Sequence, residues 1–213
     1  MRPNKIPQAI ISVKRSGGKM DKIVAASAPT TQWQNLVIEA SQACNILLTE
    51  ELESYLVFLL MRFIATPQMA HKVMGLEFLT SINCSGALRP LALRDVGDQC
   101  LLYSGLFPGR AKRRRVRVSY YVNIGKSAYI SLANTGKYSD SSLFASLSDK
   151  FVSLMDILQS MRELNNKSVT LDAFMAEELW HDTGSEHALQ TLRQFTTSIC
   201  SPIINLDLSP KKH

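Results

Sequence analysis

No hydrophobic run in this chain approaches the roughly 20 apolar residues that a membrane-spanning helix needs. The most apolar stretch, Tyr55 to Ala65, is 11 residues long and contains Arg62. The first residues carry Arg2 and Lys5, and Lys14 and Arg15 follow soon after, which leaves no apolar segment of secretory type. Cysteine is scarce: Cys44, Cys84, Cys100 and Cys200 are widely spaced and form no Cys-x-x-Cys or zinc-ligand pattern. That excludes a small disulfide framework, and the four are read as reduced, buried small hydrophobes in a cytoplasmic protein. Glycine patterns are equally uninformative. The chain has no Gly-x-Ser-x-Gly elbow, no Gly-x-x-x-x-Gly-Lys phosphate loop and no Gly-x-Gly-x-x-Gly turn. Gly17-Gly18-Lys19 keeps a fragment of a phosphate loop without the strand and helix that would frame it.

What the chain does have is a locally concentrated positive charge. Arg110, Lys112, Arg113, Arg114, Arg115 and Arg117 fall within eight positions, uninterrupted by an acid. There are 24 Lys+Arg against 18 Asp+Glu, so removing those six leaves 18 against 18, and the formal net charge of +6 can be assigned to this segment alone. Concentrated charge attracts phosphates or carboxylates, whereas scattered charge mainly aids solubility.

A hydrophobic content of 46% and a charged content of 20% in 213 residues are globular values, and this length supports one sizeable core. The composition divides the chain into a basic arm over residues 1–27, a helical domain over 28–201 and a mobile tail over 202–213. The arm holds Lys14, Arg15, Lys19 and Lys22, which supplement the basic segment.

Helical periodicity dominates the body and predicts an all-α, single-domain bundle of about six to eight helices. Thr30 or Thr31 caps a first helix with Trp33, Leu36, Val37, Ala40 and Cys44 on one face. Thr49 followed by Glu50 and Glu51 starts a second, whose acids suit the helix dipole. Apolar nearly all round from Leu56 to Ile64, this second helix is expected to be central. A third follows Pro67 with Val73, Met74, Phe78 and Ile82 inward, and Pro90 opens a fourth that closes near Gly105 or Pro108. Phe144, Leu147, Phe151, Leu154, Leu158 and Met161 form a seam with alternating spacings of three and four. It is too short for a typical coiled-coil dimer and is read as an internal packing stripe. Helices are also expected over 170–181 and 184–199.

Three geometries are open to the basic segment. A helix from Arg110 would align Arg110, Arg113, Arg114 and Arg117 with the apolar face of Tyr121, Ile124, Gly125, Ala128 and Leu132, and would require buried carboxylates, for which Asp95 and Asp98 are the nearest candidates. A helix starting near Val116 would leave the segment a loop open to an external anion. Alternation at Val116, Val118, Tyr120 and Val122 allows a strand, although the run from Tyr121 to Leu132 fits a helical face better.

Catalytic patterns are sparse. Glu178-x-x-His181 has the spacing that places a carboxylate and an imidazole on one helix face, as in di-iron bundles, but no second copy exists. His181-Asp182, with His71 before and Asp207 after, resembles the ligand order of metal-dependent phosphohydrolases, with an unusually long first gap. Tyr121, Ile124-Gly125 and Tyr129 are similar to the first helix of a tetratricopeptide-type repeat, which does not recur. The sequence therefore points to a non-catalytic helical adaptor or regulator without a cofactor. Its basic segment would bind an acidic protein partner or a nucleic-acid backbone, with Tyr120 and Tyr121 as stacking faces. The alternative is a metal-dependent helical enzyme with a site near Glu178 and His181.

Overall fold

The computed structural model describes residues 29–65, 74–84, 86, 88–135, 140–166 and 171–199. The arm over 1–27, the tail over 202–213, and Val73, His71, Cys200 and Asp207 lie outside the described residues. Among the described residues ten helices follow in order: α1 Pro29–Ala43, α2 Glu50–Ala65, α3 Met74–Asn83, α4 Leu88–Gly105, α5 Gly109–Arg114, α6 Val118–Ala133, α7 Ser141–Asp149, α8 Phe151–Asn166, α9 Ala173–Thr183 and α10 Glu186–Ile199. The protein is a single all-α domain, without a strand among the described residues.

The helix ends have local causes. α1 stops because Asn45 adopts a left-handed backbone, φ 54°, with Ile46 N–H donating to Ser41 O and Asn45 N–H to Gln42 O, the paired closure of a Schellman motif. At the start of α2 the Thr49 hydroxyl accepts from Leu52 N–H at 3.4 Å. The expected seam is broken once, at Lys150, into α7 and α8, yet all six of its residues are buried inside the molecule as a packing stripe. That break, together with the separate short α5, raises the count above the six to eight expected.

The central helix is α4, not α2. Every residue from Val96 to Gly105 is buried, and α4 packs against α3, α6 and α8. α2 buries Leu52, Tyr55, Leu56, Leu59, Leu60 and Phe63 but turns Phe58 and Ile64 toward solvent. Sequence pattern misses the centrality of α4 because Asp98, Gln99 and Ser104 interrupt its apolar character. In α3, Met74 and Ser81 set the inward face with Phe78 partly buried, and Ile82 is exposed rather than inward.

Close helix approach is achieved by glycine. Gly97 on α4 lies against the Tyr129 ring, and a Cβ at Gly125 on α6 would stand 2.4 Å from Phe151 ring carbons and 3.0 Å from Cys100 Cβ.

Asp98 is buried at the junction of α2, α4 and α6. Its Oδ1 accepts from the Tyr55 hydroxyl at 2.6 Å and the Tyr129 hydroxyl at 2.7 Å, its Oδ2 accepts from Arg62 Nη2, and Arg94 Nε lies 3.8 Å away. Burial pushes the carboxyl up, and Arg62 with the two phenols pulls it the other way. Both oxygens act only as acceptors, the role of a carboxylate. Arg62, the one charge in the apolar stretch of α2, is thereby explained.

Two stability predictions follow from this packing. Asp98→Ala strands two phenols and two guanidiniums, and is expected to cost about 3 kcal/mol, the low end for a broken buried pair because both arginines keep partial contact with water. Gly125→Ala is expected to cost about 1–3 kcal/mol through overpacking against Phe151. Denaturant unfolding of each variant against wild type measures both.

Candidate functional site

The basic segment is neither the continuous helix nor the open loop considered from sequence. α5 is held to the core by buried Ala111, and it ends at Arg115, whose φ of 57° is left-handed. Val116 N–H donates to Ala111 O at 3.0 Å and Arg115 N–H to Lys112 O at 3.1 Å, a second Schellman closure. Arg117 is extended and precedes the first residue of α6. The break at Arg115 abolishes the shared face of Arg110, Arg113, Arg114 and Arg117 with α6, and the strand alternative is excluded by the helix that begins at Val118.

Asp95 and Asp98 are not the partners of this segment. They are taken by Arg62 and Arg94. Partners come instead from α9 and its N-cap, 60 to 65 residues further along the chain. Lys112 Nζ lies 3.2 Å from Asp172, and Arg117 reaches Glu178 at 2.9 Å and Asp182 at 3.2 Å. Arg110 stacks its guanidinium 4.4 Å above the Tyr103 ring, a cation–π contact. Burial pushes the Tyr103 phenol up to about 12, against the opposing effect of Arg110.

Three of the six side chains are left over. Arg113, Arg114 and Arg115 are exposed and form no ion pair among the described residues. The other three act as struts: Arg110 on the core aromatic, Lys112 and Arg117 on α9. The site is therefore a short arginine knuckle clamped at both ends.

The carboxylates that clamp it are themselves anchored. Asp172 caps α9 by accepting from Met175 N–H at 2.8 Å, and this bond, followed by Lys112, holds its carboxyl below the ordinary range. The Ser119 hydroxyl, then His181 and Arg117, do the same for Asp182. Lys112 and Arg117 are exposed, so their pairs contribute no more than about 0–1 kcal/mol each. Their effect is to fix orientation.

No family model, curated protein or solved structure matches this chain. Its function has to be argued from the site itself.

Of the residues nominated for a metal centre, Glu178 is engaged by Arg117, and His181 is a largely exposed side chain in the last turn of α9, 3.3 Å from Asp182. Among the described residues no group of three or more His, Cys, Asp or Glu side chains is placed to hold a metal ion. The two tyrosines also separate. Tyr121 is buried, and only Tyr120 is partly exposed, with its ring 5.3 Å from that of Tyr121. A two-ring stacking platform is not formed.

Sequence reasoning found the arginines but not their clamps, because Asp172, Glu178 and Asp182 meet them only through the packing of α9 on α6. The left-handed Arg115 was also invisible, since Gly or Asn usually marks that position. An L side chain there costs about 1 kcal/mol. Arg115→Gly is accordingly expected to raise stability by about 1 kcal/mol, and Arg113→Ala to change it by less than about 0.5 kcal/mol, both read by thermal and denaturant melts.

Proposed function

We propose that the protein is a non-catalytic adaptor or regulator that binds an acidic protein segment through Arg113, Arg114 and Arg115. The observation that carries this reading is Arg115: a guanidinium is kept at a backbone position where glycine would be more stable, directly after two other arginines without an ion pair among the described residues. Strain of this kind is retained when the side chain is needed for something other than folding. The clamps on α9 support the same reading, since Arg117 and Lys112 hold the knuckle in one orientation before any partner arrives, and pre-organisation lowers the entropic cost of binding.

The chemistry of the surroundings favours a protein partner over a nucleic-acid backbone. Asp172, Glu178 and Asp182 flank the arginines, and a continuous polyphosphate crossing them would meet like charge at each. A short acidic segment, with carboxylates spaced to match three arginines, avoids them and gains planar bidentate contacts.

The test uses full-length protein and a variant with Arg113, Arg114 and Arg115 all changed to Ser, titrated with a glutamate-rich peptide and with mixed-sequence duplex DNA across a salt series. The expected result is peptide binding that weakens with salt and is lost in the variant. DNA binding with a log-log salt slope near −0.9 per neutralised phosphate, falling by about three such units in the variant, would replace the protein partner with a nucleic-acid backbone. Failure of both probes to bind at low salt, or equal binding by the variant, would refute the proposal.

A further inference from the structure

The arginine knuckle has an apolar neighbour. Lys112 and Arg117, near the two ends of the basic segment, are fastened to separate places on one helix: Lys112 to Asp172, the N-cap of α9, and Arg117 to Glu178 and Asp182 further along it. At 1.5 Å per residue, Asp172 and Glu178 stand about 9 Å apart along the helix axis. Between them is Phe174. Glu178 and Asp182 follow it at four and eight residues, so all three lie along one side of α9. The Arg117 contacts turn that side toward the basic segment.

The phenyl ring contributes little to folding. Phe174 is 72% exposed, the most exposed aromatic among the described residues. Other side chains hold α9 in place: Ala176 and Leu179 are buried, Met175 packs against the core, and Asp172 caps the helix. A single exposed apolar side chain is ordinary on a protein surface. Its position distinguishes this one, bracketed by the two contacts that orient Arg113, Arg114 and Arg115. Trp180, the other exposed aromatic of α9, is about 120° away round the helix and does not share that side.

Charge decides which part of a ligand can lie on the ring. Asp172, Glu177 and Glu178 surround Phe174 along α9, with Glu177 and Glu178 on opposite sides of it. Carboxylates of a ligand are repelled there and attracted to the arginines, whereas an uncharged apolar group meets no such penalty at the ring. The surface therefore has two parts of different chemistry, one for negative charge and one for an apolar side chain.

We propose that Phe174 is a specificity-determining contact, taking an aromatic or branched aliphatic side chain at one end of an acidic segment whose carboxylates lie on Arg113, Arg114 and Arg115. This rests on the binding of an acidic segment by the arginines, and adds the residue that selects among such segments. An extended peptide advances about 3.3 Å per residue, so the apolar side chain falls within about three residues of the acidic run. Burial of the ring removes apolar surface from water, a contribution that salt does not screen as it screens exposed charge.

Full-length protein is titrated calorimetrically, at low and moderate salt, with a run of glutamates alone and with the same run carrying a phenylalanine two residues before it or two residues after it. Wild type is expected to bind one of the phenylalanine peptides about tenfold more tightly than the glutamates alone, by a ratio that persists as salt rises. Phe174→Ala is expected to keep the melting temperature and the affinity for glutamates alone, and to lose the tenfold advantage. Phe58→Ala removes a ring that is 61% exposed on α2, and is expected to retain the advantage, which separates docking at α9 from general adhesion to exposed rings. Equal binding of all three peptides by wild type, an advantage that survives Phe174→Ala, or one lost equally in Phe58→Ala would overturn the role of Phe174 and leave the arginine site standing on the glutamate peptide. Failure of every peptide to bind wild type would refute the arginine site and this contact together.

Discussion

A single buried carboxylate sets the arrangement of the helices. Asp98 gathers Tyr55 and Arg62 from α2, Arg94 from its own helix and Tyr129 from α6, so three helices share one acceptor. A charge taken out of water is tolerated only where several donors converge on it. Each of those donors has to be at one angular position on its helix. The rotation and axial register of α2 and α6 about α4 are thereby tied to one another, which apolar contact, being non-directional, does not enforce.

Close approach then follows from small residues. Gly97 lets the Tyr129 ring lie on α4 near enough for its hydroxyl to reach Asp98, and Gly125 opens α6 to the Phe151 ring of α8. The hydrogen bond and the absent side chain are two parts of one device: without Gly97 the ring could not lie there, and without Asp98 a phenol would be buried with no acceptor.

The surface is organised on a different rule. At the arginine knuckle, charge pairs are exposed and individually weak, so they orient rather than stabilise, and the backbone of Arg115 works against stability. The polar group around His187 lies between these extremes. Asp156 accepts from the Ser185 hydroxyl and from His187 N–H and so builds the start of α10, and the His187 ring lies 3.3 Å from Glu163.

Much of the fold was legible in the order of residues. The 3.6-residue recurrence of Val37, Ala40 and Cys44, the start of α2 after Thr49 and the stripe from Phe144 to Met161 were all readable, because helix formation depends on neighbours within a few positions. So was the concentration of positive charge between Arg110 and Arg117. What only the tertiary structure decided is which charges meet. Arg62 finds Asp98 across 36 residues, Arg117 finds Asp182 across 65, and Cys44 finds Asp156 across 112. The centrality of α4, the left-handed turn at Arg115 and the meeting of Glu163 with His187 belong to the same class. Local periodicity fixes which face of a helix is apolar. It carries no information about which distant helix will cover that face, and a buried polar group is defined by that covering helix.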